Sequence, residues 1–262
     1  KVFESAINEC PVNFLKYSSN GALLYACWRD ASITVHNSNN ALPIGSYDDI
    51  HEGAITSCDL TSDDLKLFSV DRAQLAVLWD CETGIFIFFY LFTYSGKDIR
   101  KINENSIMKS SNFFPSDDNL ILYSKLKLFD VKVSSNIILD LRSMETVASI
   151  AIPNSIQNVC RWAASDIIAT GMDNGTVVFH KFKDLIGRTI DQDGPSHFKS
   201  IKMHTDKITH INSSFDKTLL LTTSTDRYCK IFNEKDEEPF LIFNFGDQAN
   251  SASIHPSLKY VI

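Results

Sequence analysis

His51, Ser69 and Asp71 stand within a short stretch of this chain. Together these residue types can run acyl transfer: a hydroxyl attacks, an imidazole takes its proton, and a carboxylate orients the ring. The same order recurs at His204, Ser224 and Asp226, and an aromatic follows each set, Trp79 (with Asp80) in the first and Phe232 in the second. Between each His and its Asp lie an apolar run and a polar turn. A hydrolase needs one such set with its own oxyanion hole and cleft, whereas recurrence within a chain is the mark of a repeated structural unit. The polar set also has a structural task. The Asp can accept hydrogen bonds from turn N–H groups and from the His, the His can link to the Ser hydroxyl, and the hydroxyl can take the Trp indole N–H. Such a network stabilises only when every member is paired. His51, Ser69, Asp71 and Trp79 form the complete copy. In the copy built on His204, Ser224 and Asp226, Phe232 ends the relay. No catalytic residue is assigned. The interval from Asp71 to Trp79 is two residues longer than that from Asp226 to Phe232, which points to an enlarged turn or a bulge.

The elements that must position these residues read as short strands. Val12–Lys16, Ala22–Cys27 and Ile33–Val35 form a first unit around the Ser18–Gly21 turn, with Asp30 in the next hairpin and His36 in the aromatic slot. Ile55–Leu60, Leu65–Val70, Leu75–Trp79 and Ile85–Phe92 form a second, and Asp30 and Asp71 lie 41 residues apart. That period fits the WD repeat. A third unit starts near Ile107. Its Lys125–Ser135 segment reads either as a long loop before Asn136–Leu141 or as containing a strand, Leu126–Val131. A fourth has Asn158–Ala163, Ile167–Gly171 and Thr176–His180, with Asn174-Gly175 suited to a type I′ turn, then a polar connector, Lys183–Ser200. A fifth runs from Lys207 to Phe245, and a sixth begins at Ala249–His255 and re-enters a strand at Lys259–Ile262. The fold class is therefore all-β, a WD40-type β-propeller. The blades fall at about 12–50, 51–104, 105–152, 153–203, 204–245 and a partial 246–262, within a single domain. Because an open ring exposes strand edges, the expectation is a seven-bladed parent with about five and a half blades in this chain and further sequence beyond its end.

Composition excludes several other activities. The net charge is -7 with both signs interspersed, which argues against direct nucleic-acid binding through a broad basic surface. The basic rim that Lys97, Arg100, Lys101, Lys125, Lys127 and Lys132 could form reads first as a solvated loop. The six cysteines are scattered without a CxxC pair, which suits reduced thiols in the cytoplasm. The longest apolar run, Ile85–Phe92, is too short to span a bilayer. His197, His204 and His210 do not share one strand face, so no metal is expected, and no P-loop or Rossmann glycine pattern calls for a cofactor. A catalytic site at the central channel would need polar residues converging there from several blades, and the sequence shows no such set.

A more specific likeness lies in an ordered series of segments. Leu78-Trp79-Asp80-Cys81-Glu82-Thr83-Gly84 resembles the second-repeat motif of the i subunit of eukaryotic translation initiation factor three. Leu15-Lys16-Tyr17, Asn20-Gly21 and Leu23-Leu24 are similar to its first repeat, and His51-Glu52-Gly53-Ala54 to the opening of its second. Leu139-Asp140-Leu141-Arg142 resembles the end of its third, His204–Ile211 and Thr223–Phe232 its fifth, and Asn250-Ser251-Ala252 with His255-Pro256 the start of its sixth. The resemblance implies a noncatalytic, cytoplasmic scaffold subunit that receives the b and g subunits of the initiation complex and meets the small ribosomal subunit only indirectly. It also implies that the b contact falls at about Arg227–Asp247, with Ile231, Asn233, Glu234 and Asp236 as contact residues. The alternative is the related receptor-associated WD-repeat scaffold for RNA–protein assembly.

Overall fold

The computed structural model describes residues 10–73, 75–91, 106–127, 134–143, 145–152, 156–186, 197–214, 216–233, 236 and 238–257. It contains five antiparallel four-stranded sheets, each built from consecutive strands. The first holds β1 (Val12–Tyr17), β2 (Leu23–Trp28), β3 (Ile33–Asn37) and β4 (Pro43–Tyr47), and the second holds β5 (Ile55–Leu60), β6 (Lys66–Asp71), β7 (Leu75–Asp80) and β8 (Phe86–Leu91). The third holds β9 (Ser106–Phe114), β10 (Asp117–Lys127), β11 (Ser134–Asp140) and β12 (Glu145–Ala151). The fourth holds β13 (Gln157–Trp162), β14 (Ile167–Met172), β15 (Thr176–Lys181) and β16 (His197–Lys202), and the fifth β17 (Ile208–Ser213), β18 (Leu219–Ser224), β19 (Tyr228–Asn233) and β20 (Leu241–Asn244). This is the all-β propeller that the repeat foretold.

The first strands of the sheets stand side by side around an axis. Side chains, not backbone ladders, tie them laterally. Asn13 Nδ2 donates to the Ile55 carbonyl at 3.0 Å, Ser110 Oγ to that of Cys160 at 2.8 Å, and Ser213 Oγ to that of Trp162 at 3.1 Å. The ring is completed by residues 249–257, which lie between β17 and β1. Thr209 Oγ1 donates to the Ala249 carbonyl at 2.6 Å, the Leu15 N–H to Ser251 Oγ at 3.4 Å, and the His255 ring packs edge-on against Tyr17. This segment was expected as a strand, but only Ile254 makes a ladder bridge. Lys259–Ile262 lies outside the described residues. Between the sheets, Val, Ile, Leu and aromatic side chains interleave, as with Phe14, Tyr25, Tyr47, Leu67 and Trp79 between the first and second. Sheets with an apolar face must bury it against a neighbour, and radial packing does so.

In the first, second and fifth sheets the turn between the first two strands shares one construction. Ser18, Thr61 and Ser214 donate to the carboxylate or amide oxygen two residues on, at Asn20, Asp63 and Asp216 (2.9, 2.6 and 2.6 Å), and accept from the N–H of Leu23, Lys66 and Leu219. Gly21, Asp64 and Lys217 follow in the left-handed region, with φ of 72°, 60° and 59°. Within the segment from Lys125 to Ser135, Lys125–Lys127 belong to β10, 128–133 lie outside the described residues, and β11 begins at Ser134. The supposed connector 183–200 contains the start of β16, which completes the fourth sheet.

Candidate functional site

The second sheet holds a closed relay. The Trp79 indole N–H donates to Ser69 Oγ at 2.8 Å, Ser69 Oγ lies 2.6 Å from His51 Nε2, and His51 Nδ1 lies 3.0 Å from Asp71 Oδ2. Since the Asp71 carboxylate can only accept, His51 donates to it from Nδ1, and Nε2 accepts the Ser69 hydroxyl, whose oxygen takes the indole N–H. Asp71 Oδ1 also accepts the Leu75 N–H at 2.8 Å. Ser69 and Asp71 are fully buried and His51 nearly so, which leaves the hydroxyl no room to meet a substrate.

In the fifth sheet the hydroxyl is a different residue from the one expected. His204 Nδ1 meets Asp226 at 2.9 Å, but Nε2 meets Thr222 Oγ1, also at 2.9 Å. Ser224 instead donates to the Asp206 carbonyl at 3.1 Å and caps the Asp226 N–H. The strand register explains this. Ile55 pairs with Asp71 and Cys58 with Ser69, while Ile208 pairs with Ser224 and Ile211 with Thr222. Ser224 therefore occupies the register position of Asp71, and Thr222 that of Ser69. Asp226 stands two residues further on, in the turn. The hairpins are equal in length, with Val70 facing Ala76 and Thr223 facing Cys229 and no irregularity in either pairing. The β6–β7 pairing is regular, and the extra interval to Trp79 arises because Asp71 comes from the strand.

The first sheet builds an equivalent relay from other residues. Trp28 Nε1 donates to Thr34 Oγ1 at 2.7 Å, Thr34 Oγ1 lies 2.8 Å from His36 Nε2, and His36 Nδ1 reaches the Ala41 carbonyl at 3.3 Å. Sequence reading placed His36 in an aromatic slot and missed the relay. Its signal was the Thr34-x-His36 alternation on one strand face. The Asn174-Gly175 turn is also not type I′, because only Gly175 has positive φ (82°). The Gly175 N–H bonds to the Met172 carbonyl, so Asp173-Asn174 form an ordinary turn ahead of a left-handed glycine.

Of the expected contact residues, Asn233 and Asp236 are exposed, and Glu234 lies outside the described residues. Ile231 cannot face a partner. It is 4% exposed and packs with Leu221, Cys229, Ala252 and Ile254, because the alternation of β19 turns it inward. Apolar exposure lies on the next strand: Leu241, Ile242 and Phe243 of β20 are exposed, as are the flanking Phe240 and Phe245. For the suggested basic rim, Lys97, Arg100, Lys101 and Lys132 lie outside the described residues, as do the side chains of Lys125 and Lys127.

The channel overturns the expectation that no polar set converges there. At the ends of the inner strands, Lys16 Nζ lies 2.5 Å from Asp59 Oδ1, and Arg161 reaches the same oxygen at 3.5 Å. Asn112 and the Phe113 N–H complete the shell around Asp59. Burial pushes the Asp59 carboxyl up, but the Lys16 and Arg161 charges outweigh it and hold the group at about 2. Burial, with the Lys16 and Arg161 charges, lowers the nearby Lys217 to about 8. Such a buried set braces four blades, and Asp59 compensates part of its positive charge through pairing. A second cavity, of about 400 Å³, opens where the inner strands begin.

Residues 196–233 match the WD domain, G-beta repeat, family. Over 262 residues the chain is 26% identical to eukaryotic translation initiation factor 3 subunit I of Danio rerio, which covers 97% of this chain and 73% of that protein. The subunit I proteins of Mycosarcoma maydis (25%, covering 95% and 70%) and Drosophila melanogaster (25%, covering 97% and 73%) match similarly. Among solved structures, the β-propeller domain of Cps50 (Swd1) from Myceliophteria thermophila superimposes with a TM-score of 0.65 at 14% identity, covering 92% of this chain and 73% of that one. The chain is a WD40-type β-propeller, similar over nearly all of its length to subunit I of eukaryotic translation initiation factor 3.

Proposed function

We propose that this chain is a noncatalytic scaffold subunit of a cytoplasmic translation initiation factor complex. It holds the b and g subunits on its exterior and meets the small ribosomal subunit through them. The observation that carries this reading is the likeness, at about a quarter identity, that runs through 97% of the chain to proteins named as that subunit. The surface supports it. A partner helix needs apolar anchors within a charged border. β20 supplies Leu241, Ile242 and Phe243, extended by Phe240 and Phe245, with Asn233, Asp236, Glu238 and Asp247 exposed around them. The buried His–Ser and His–Thr relays suit a rigid scaffold, since each ends inside its own blade.

The test is affinity capture of the tagged chain from its native lysate, followed by mass spectrometry of what it retains. The reading expects the b and g subunits with the wild type and their loss with Ile242→Asp plus Phe245→Asp. Recovery of a different RNA–protein assembly would instead favour the receptor-associated scaffold.

A further inference from the structure

The cavity where the inner strands begin has an unusual lining. Asn13, Thr56, Asn158, Thr209 and Asn250 contribute polar groups, and Arg72, Lys109 and Lys207 come from three different blades. No carboxylate lines it, although the chain as a whole carries a net charge of -7. Among the described residues, none of the three cations is ion-paired with a carboxylate. Lys109 is half-buried, and its Nζ donates to Asn158 Oδ1 at 2.9 Å. Burial, the Lys207 charge and the Arg72 charge, in that order, lower Lys109 to about 8, and Asp173 opposes them only weakly. The three charges therefore feel one another.

Two buried donors in the wall point the same way. Asn158 is 4% exposed, and its Oδ1 is fixed by the Lys109 ammonium, which can only donate, so its Nδ2 is the group left without an acceptor. His210 is 3% exposed, and its Nδ1 accepts the Ala252 N–H at 3.3 Å. The ring proton is thus on Nε2, which also finds no acceptor among the described residues. Burial, with the Arg161 and Lys16 charges, keeps this imidazole neutral down to about 3. The wall therefore combines three cations with two unanswered N–H donors, and polar groups that are buried in this way are normally paired. What they lack is an acceptor carrying more than one negative charge.

We infer that the channel mouth formed by Arg72, Lys109 and Lys207 binds a phosphomonoester, the compact dianion whose oxygens two lysines and a guanidinium can clasp at once. A single carboxylate leaves two of the cations unanswered. An extended nucleic-acid backbone carries only one charge per phosphate and would have to lie along an acidic body. Direct contacts fall to the three cations, and the unpaired N–H groups of Asn158 and His210 deepen the positive potential behind them.

Isothermal titration calorimetry on the full chain at low ionic strength tests this. The probes are inorganic phosphate, a capped phosphoserine tripeptide, the same peptide unphosphorylated, and a single-stranded RNA. Saturable binding of phosphate and phosphopeptide is expected, with none for the unphosphorylated peptide. Tighter binding of the tripeptide than of phosphate marks a protein as the source of the group, and the reverse marks a small phosphorylated molecule. Lys207→Gln and Lys109→Met should each weaken binding roughly 10- to 100-fold, since each removes a charge-assisted hydrogen bond. An unchanged circular dichroism spectrum and a melting temperature no lower than that of the wild type would show that the variants fold, and Arg72→Gln, at an exposed position, gives a third variant outside the core. The inference fails if phosphate and phosphopeptide give no saturable heat, if all three variants bind as the wild type does, or if RNA alone binds.

Discussion

Asp71 and Asp226 both hold a histidine, yet their replacement by alanine should cost very different amounts. Asp71→Ala removes the acceptor of the His51 Nδ1–H (3.0 Å) and the Leu75 N–H (2.8 Å), together with a long bond from Gly53 (3.3 Å). The first two donors are buried, with His51 8% and Leu75 4% exposed. Each buried donor left unpaired costs about 1–3 kcal/mol, so the loss should be about 2–6 kcal/mol. Asp226→Ala also strips the His204 Nδ1–H, but its other donors are the N–H groups of Thr205 and Tyr228, both on exposed residues that water can reach. That cost should be about 1–3 kcal/mol, half of the loss at Asp71. Urea unfolding followed by circular dichroism separates the two, through the midpoint at constant m value. If Asp71→Ala does not fold, Asp71→Asn keeps the shape but has one acceptor oxygen in place of two, so it must lose either the His51 or the Leu75 bond. It should still cost more than Asp226→Asn. Equal losses for the matched pair, or the larger loss at Asp226, would refute the argument from register and burial.

Stability should fall as the solution is acidified from pH 7 to 5. His210 is lowered from 6.5 to about 3, so below 6.5 the unfolded chain binds the proton and the folded chain does not. At pH 5 this deficit is about 2 kcal/mol, and His204, lowered in the same direction by burial, adds to it. His210→Gln should flatten the denaturation midpoint across that range, and an unchanged slope would exclude His210 as the cause. Arg227 holds φ at 76°, where glycine is unstrained, so Arg227→Gly should raise stability by about 0.5–1 kcal/mol in the same urea assay. Gly175→Ala should do the opposite and cost about 2 kcal/mol or more, the usual scale of strain plus clash, because a Cβ there would overlap the His204 carbonyl oxygen. Lys109→Met should stabilise the fold at pH 7 by about 1–2 kcal/mol, discounted for its partial exposure. The folded protein holds Lys109 at about 8 against 10.5, so the wild type gains stability as pH rises between those values and the variant should not.

Strand positions were legible because each depends on a few residues in a row. LWDCETG, the Ser18–Gly21 turn and the apolar runs announce themselves locally. The recurring hydroxyl-x-acid turn at Thr61–Asp63 and Ser214–Asp216 was equally present, and it repeats more faithfully than the His–Asp set. What could not be read is register. Ser224 and Asp71 look like different members of a motif until the pairing of Ile208 and Ile55 puts them at one position. Ile231 looked available because a strand's two faces are distinguished only by what lies beyond them, here Ala252 and Ile254. The channel residues were hidden for the same reason. Lys16, Asp59 and Arg161 are isolated in sequence, one per inner strand, and meet only through ring closure.

That closure also fixes the sign of the channel. Inner strands present alternate residues to the axis, and in this ring they carry Lys16, Lys109 and Arg161, with Lys207 and Lys217 at the strand margins. Asp59 neutralises part of the charge at one end, while the other end has no acid in its wall. The surrounding body is acidic, with exposed carboxylates at Asp48, Asp49, Asp63, Glu82 and Asp206. A long polyanion approaching such a particle feels that body along its whole length, whereas a compact dianion inside the mouth feels chiefly the three nearby cations. Beyond about 8–10 Å at physiological ionic strength the outer charges are screened, so the cavity acts on a small ligand almost independently of the net charge. Raising the salt should therefore weaken phosphate binding by far less than it weakens any contact of the exposed acidic rim with a basic partner.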